Sequence, residues 1–407
     1  MTATLPSASQ PSLRQPLWRR RGVRLAAAAL LAGGALVAGL GHDQVRALVA
    51  GEAGPGARIT VTVNSVEGLE RALARAADGS VIRLAPGEYS EITLKGLNFA
   101  RPVTITSAQP DHPARIARLS VTDSSGLFFH DLEFAAQNGT VRDIPYRFIN
   151  VRHFTLERVF VHGPDNLDIA YQIAPILFRN SEDVALLDSR FTRLYLAVQI
   201  LDVKGFRAVG NEFWNIRSDA MRGGGISDAL YAYNVCTNFH PAEKDHPDCV
   251  QLWSTNEKEV ARNIVIRDNL VVRGDGDPIQ GVFVRDTHSN LPFENVQITD
   301  NLLIGTLFNG ICIDGVNGAQ VTGNEVIALG GQKAWIRLQN AHRVELHGNS
   351  APKLLLIQSD GIHDTNNRFG DAGPQKYRAR VEAWLAAKAE RRHKDSQVLP
   401  KILAAAP

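Results

Sequence analysis

From residue 127 onward the chain keeps restarting one eight-residue phrase, and no other feature narrows its possible folds as far. In register it reads LFFHDLEF (127–134), FTLERVFV (154–161), VALLDSRF (184–191), FRAVGNEF (206–213), ALYAYNVC (229–236), IVIRDNLV (264–271), VQITDNLL (296–303), AQVTGNEV (319–326) and VELHGNSA (344–351). Places one, three and eight are apolar almost throughout, while two and four are mostly polar or small. Alternation over so few residues marks a half-buried strand rather than a helix. Successive phrases start 22–35 residues apart. That is the period of a solenoid, whose units bury a face only by stacking on one another.

Place six holds Asn211, Asn234, Asn269, Asn301, Asn324 and Asn349. Asn accepts the left-handed backbone of a sharp bend, and its amide can bond the same amide one coil away. Stacked at a strand spacing of about 4.8 Å, these six are expected to form an internal ladder. None of them is a catalytic candidate.

A second strand follows each phrase: DAMRGGG (219–225), DCVQLWS (248–254), QGVFVRD (280–286), NGICIDG (309–315) and KAWIRLQ (333–339). Places three and five are mainly apolar and are expected inside, which sends two, four and six outward. Place two is then Ala220, Cys249, Gly281, Gly310 and Ala334, all small. Place four is Arg222, Gln251, Phe283, Cys312 and Ile336, and place six is Gly224, Trp253, Arg285, Asp314 and Leu338. Small residues beside such polar and aromatic ones suit a shallow groove.

The ends read differently. Residues 58–107 suggest a strand, then a helix capped by Asn64 or Ser65 that runs to about Ala77 and ends at Asp78-Gly79, then the first coils. The helix is expected to cover the open edge of the first coil. Another helix, from Pro374 to about Arg392, carries Tyr377, Val381, Trp384 and Leu385 on one face and is expected to cap the last coil. Residues 1–24 hold no acid but five Arg (Arg14, Arg19, Arg20, Arg21, Arg24), and the run 25–41 is apolar. This is the pattern of an export signal or an uncleaved membrane anchor, with Arg19–Arg24 staying cytoplasmic. Arg20-Arg21 also admits a twin-arginine signal. The expected organisation is therefore a basic segment (1–24), a signal or anchor (25–41), a linker (42–57), a repeat domain (58–368) and a helical tail (369–407).

Composition excludes several classes. Of 407 residues, 44% are hydrophobic and 21% charged, which is enough apolar surface to rule out a disordered chain. A net charge of +2 leaves no nucleic-acid footprint. Three cysteines (Cys236, Cys249, Cys312) make neither a disulfide framework nor a zinc pattern, and Cys249 and Cys312 read as small packing residues.

Three short strands per coil, an Asn ladder and the opening segment APGEY (85–89) resemble the right-handed parallel β-helix of the pectate-lyase-like superfamily, over residues 58–368. The resemblance implies an all-β fold. It leaves function open among polysaccharide lyases, uronate C5-epimerases, glycoside hydrolases, and non-enzymatic adhesins or tail proteins.

One segment departs from the repeat: NFHPAEKDHPDCVQLW (238–253), in a coil stretched to 35 residues between Asn234 and Asn269. Long insertions in solenoids usually lie on the binding face. Its DHPD turn (245–248) resembles an acidic-His turn of exported β-helix proteins linked to uronate polysaccharides, although the epimerase branch orders these residues differently. Lysis or epimerisation of a uronate starts with loss of the C5 proton, once the neighbouring carboxylate is neutralised by a cation or a guanidinium. A base must reach C5. His246 is the first candidate and Lys244 the second, with His288 in the loop RDTHSN (285–290) behind them. Arg222 and Arg285 can clamp carboxylates, Trp253 can stack on a sugar, and Gln251 and Asp314 complete the groove. Asp219, Asp245 and Asp248 can hold Ca²⁺. Blander readings stand beside these. Asp219, Asp248, Gln280 and Asn309 share place one and can form a second ladder; His246 can be a plain turn residue, and the Arg residues can pair with surface acids. Three functions follow: a lyase or C5-epimerase on an acidic polysaccharide, an inverting hydrolase using Asp219, Asp245 and Asp248, or a non-catalytic glycan-binding envelope protein.

Overall fold

The computed structural model describes residues 58–138, 142–370, 377–387, 398–400 and 402. The expected signal or anchor, the linker, Pro374 and residues 388–392 lie outside them. Every strand pairing is parallel, in one eighteen-stranded and one twelve-stranded sheet. Each coil gives the large sheet two segments and the small sheet one. Thus Ile176–Leu187 pairs along its bent length with Val198–Val209, while Arg190–Leu194 crosses to the small sheet and pairs with Glu212–Ile216. The chain is a parallel β-helix.

Its interior follows the phrase. Places one and three point inward, where Phe206 lies 5.7 Å from Tyr231, and the strand segments ahead of the phrase add Phe148 and Phe178 to the same column, 4.9 Å apart, with Phe178 5.9 Å from Phe206. Later coils continue it with Ile264, Ile266, Val296 and Ile298, all fully buried. At place six, Asn211 Nδ2 donates to Asn234 Oδ1 at 3.0 Å, and the pattern repeats through Asn269, Asn301, Asn324 and Asn349. A seventh member, Asn367, extends it. The left-handed residue is not the Asn but its neighbour. Place five has positive φ in all nine phrases, at Asp131, Arg158, Asp188, Gly210, Tyr233, Asp268, Asp300, Gly323 and Gly348. The bend therefore belongs to place five, and the amide behind it is free to ladder.

The first helix is shorter than its sequence suggests, spanning Val66–Leu73, with Ser65 Oγ accepting from the Gly68 N–H. Arg75 and Ala76 tighten to i→i−3 bonds before Gly79 turns left-handed. The C-terminal helix, Tyr377–Ala387, lies elsewhere than expected. Val381 and Leu385 pack on Leu270, Leu302, Ile304 and Ile327, and Arg380 pairs with Glu325 at 3.2 Å. It covers the outer flank of the small sheet rather than the end of the last coil, where Leu356 and Phe369 stay exposed.

Candidate functional site

Strand register sets the groove's rows. Arg222, Gln251, Phe283, Cys312 and Arg337 are consecutive cross-strand partners, as are Gly224, Trp253, Arg285, Asp314 and Gln339. Two expectations are corrected here. Ile336 and Leu338 are fully buried, because a register shift between Asn309 and Ile311 moves Arg337 and Gln339 to the outside. Place two also faces inward. Ala220 and Cys249 are buried, and a Cβ on Gly281 or Gly310 would strike Leu303 or Val326. The chain bends between places one and two, so places four and six face the groove and the place-one side chains lie buried beside them.

A third correction concerns the cysteines. Cys249 is bonded to Cys236 across 5.9 Å between Cα atoms, closing the inserted segment with His246 near its end. Cys312 is free and buried, and burial pushes its thiol up to about 12.

His246 sits just before the strand Asp248–Trp253. Its Nδ1 lies 2.9 Å from Asp248 Oδ2, and Gln251 Nε2 donates to the same oxygen at 2.8 Å. On the other side, His246 Nε2 meets the Gln280 amide. Gln280 Oε1 accepts from Asn309 Nδ2, and Asn309 Oδ1 accepts from Trp335 Nε1 at 2.8 Å. An indole N–H can only donate, so Trp335 orients the whole chain. Asn309 donates to Gln280, Gln280 donates to His246 Nε2, and the imidazole proton is left on Nδ1 facing Asp248. The lone pair of Nε2 is the basic one. Phe283 stands edge-on to the ring at 5.0 Å, and the His246 side chain is 49% exposed.

Below the imidazole lie two buried carboxyls. Asp219 Oδ1 accepts from the Asp248 N–H at 3.0 Å, and its Oδ2 lies 3.3 Å from Arg222 Nη1. Burial pushes both carboxyls up, Asp248 to about 7 against the pull of His246 and with the Asp219 charge adding to the rise. His246 is itself raised, first by its hydrogen bond to Asp248. Asp248 Oδ1 and Arg222 Nε are buried without a partner among the described residues.

The other candidates are scattered. Asp245 is held by Arg217 at 2.7 Å and by the Ala242 N–H, away from Asp219 and Asp248. Lys244 is exposed on the turn. Arg285 pairs loosely with Asp314 at 3.6 Å. Exposed His288 lies beyond the strand Gln280–Arg285, whose length of about 16 Å at 3.3 Å per residue separates its loop from the end at His246. Among the described residues no three His, Cys, Asp or Glu side chains are placed to hold a metal ion. Asp219 accepts from Arg222 and the Asp248 N–H, Asp245 from Arg217 and the Ala242 N–H, and Asp248 Oδ2 from Gln251. Sequence reasoning missed Trp335 and the use of Gln280 and Asn309. The available signal was amide or acid side chains at place one in four coils running.

No protein-family model matches the sequence, and no curated relative does. Solved structures resemble it in fold. A rhamnogalacturonan lyase, 9% identical, aligns over 68% of this chain and 84% of its own at a TM-score of 0.51. An alginate lyase from Paenibacillus sp. str. FPU-7 is 14% identical over 76% and 99%, with a TM-score of 0.48. The surface adhesin PfbA of Streptococcus pneumoniae is 14% identical over 75% and 92%, at 0.41. The likeness is one of fold, and it does not single out pectate lyases.

Proposed function

We propose that the protein is an exported lyase of uronate-containing polysaccharides, with His246 as the base. The carrying observation is the hydrogen-bond chain that leaves a basic Nε2 on the one half-exposed histidine of the inserted segment, one strand from Arg222. Once substrate displaces the Gln280 amide from the Nε2 lone pair, Nε2 takes the C5 proton while the Arg222 guanidinium, which keeps N–H donors beyond the one on Asp219, neutralises the uronate carboxylate. The electron pair forms the C4–C5 double bond, the C4–O bond breaks, and the imidazolium returns its proton to the departing oxygen on the same face. No water is consumed. Arg222, not Ca²⁺, supplies the positive charge in this scheme. Gln251 steadies Asp248, Trp253 offers a stacking ring, and Arg285 and Asp314 line the far end of the groove.

Burial weighs against an inverting hydrolase. Asp219 and Asp248 are 2% and 0% exposed, so neither can touch a glycosidic oxygen, and Asp245 is tied to Arg217. Export is supported by the basic and apolar segments at 1–41, which would also anchor an uncleaved chain to the membrane, and by a disulfide of the kind that persists in oxidising compartments.

The test is a panel of acidic polysaccharides, read by the ultraviolet absorbance of the C4–C5 double bond. The parent should generate it, and His246→Ala should lose about 10²–10⁴ in rate with its strand content intact. Exchange of the C5 hydrogen without absorbance would make the protein an epimerase. Binding without either, unchanged in His246→Ala, would make it a binding protein and defeat the proposal.

A further inference from the structure

A cleft of about 780 Å³ runs along the bend of the large sheet from Asn150 to Ala261, outside the groove. Its volume lies within the range of small-ligand sites, and polar forks line it. Arg152, Arg179 and Lys204 stand on successive coils, and the Asp202 carboxyl meets Glu257 from a later coil. Two glycines make this meeting possible. A Cβ on Gly225 would come 2.6 Å from Glu257 Oε2 and 2.8 Å from Asp202 Oδ1. One on Gly224 would come 2.6 Å from Glu257 Oε1 and 3.0 Å from Trp253 Nε1. Glu257 of the carboxyl pair and the groove's Trp253 indole therefore both approach the bare backbone at Gly224.

The lining selects its ligand. Arg152 and Lys204 carry no ion pair among the described residues, and Arg179 reaches Asp202 only at 3.9 Å, so cationic groups are available to carboxylates. Burial and the neighbouring Asp202 raise Glu257, and the carboxyl oxygens of the pair can accept from hydroxyls. Glu182, Asp202, Glu257 and Glu259 share the lining with the cations, so a ligand as densely charged as a polyphosphate would meet repulsion where a chain of spaced carboxylates can alternate its hydroxyls with them, and no large apolar side chain offers a peptide an anchor. Carboxylates interleaved with hydroxyls describe an acidic sugar chain.

We infer that this cleft is a second binding site for acidic polysaccharide, holding a stretch of the chain distant from the bond at His246. The inference rests on the substrate class proposed above. Six residues separate Asp219 from Gly225, about 20 Å along the strand, so only long chains can engage both places.

The experiment compares the full-length parent, Arg179→Ala/Lys204→Ala and His246→Ala for binding to polygalacturonate and alginate, long and short, with dextran as a neutral control. The double variant should bind long acidic chains about tenfold more weakly, close to 1.4 kcal/mol. Its affinity for disaccharides and its turnover of them should match the parent. His246→Ala should bind long chains as the parent does. Equal binding of long chains by the parent and the double variant would overturn the cleft and leave the lyase standing. Cleft-dependent binding without turnover would sink the lyase and keep the cleft. Failure of the parent to bind either acidic polymer would end both.

Discussion

His246 differs from an ordinary turn histidine in what holds its two nitrogens. A carboxylate on Nδ1 favours the imidazolium, and His246 is raised for that reason first. Its base form, and with it the rate, is therefore lost as pH falls through a value above that of a free imidazole. Asp248→Asn should lower that midpoint as well as the maximal rate, as a pH–rate profile will read. The same substitution should raise stability. Asp248 is buried and its folded pKa stands near 7, so the unfolded chain gives up the proton more readily. Stability then falls as pH rises from the ordinary carboxylate range toward 7. At pH 8 the Asn variant should melt a few °C above the parent; an unchanged or lower melting temperature would show that Asp248 is a satisfied carboxylate. Trp335→Phe removes the obligate donor at the head of the chain. The Nδ1–H and Nε2–H tautomers of His246 should then mix, visibly in the imidazole nitrogen NMR shifts. No sequence pattern announces that link, since Trp335 falls where a register shift hides it.

At the scale of one strand and its turn, the phrase was readable because its physics is local. Alternation fixed the inward places, and the repeated Asn fixed the ladder. Place two misled because alternation was extended through a bend, where two neighbours, Cys249 and Val250, both turn inward. That bend is what lets Cys249 meet Cys236, a contact that no spacing rule predicts between residues on different sheets. The bond closes a segment of sequence separation 13, and a closure of that length is worth about 3 kcal/mol in the chain-entropy account. Replacing both Cys236 and Cys249 by Ser should lower the unfolding midpoint. It should also cut kcat, because Asp248 is bonded to the residue the bridge holds. Far-ultraviolet circular dichroism should stay that of the parent. Asn269→Ala tests the ladder instead, stripping Asn234 of the acceptor for both its backbone and amide N–H groups. At about 1–3 kcal/mol for each stranded donor, it should destabilise more than any surface change.

Across the whole molecule, stacking makes each coil depend mainly on its neighbours, and the flank helix is the element that crosses several. The amphipathic face of Val381, Trp384 and Leu385 told that the helix is buried, though not against what. The answer was written on the other partner. In the later coils the strand after the ladder Asn is apolar at consecutive places, Leu270–Val272 and Leu302–Ile304, where earlier coils place Glu133 or Arg190. A strand apolar on both sides needs cover on both, and here the cover is the helix. Val381, fully buried among Leu270, Leu302, Ile304 and Ile327, is its anchor. Val381→Asp places a charge in that seam and should detach the helix while the coils, held by their ladders, persist. Circular dichroism should lose helical signal only, a hydrophobic dye should bind the bared flank, and the melting temperature should fall. His246-dependent turnover should remain, since the groove is built on the large sheet and the helix lies on the small one. Loss of turnover together with the strand signal would mean instead that the helix holds the coils together.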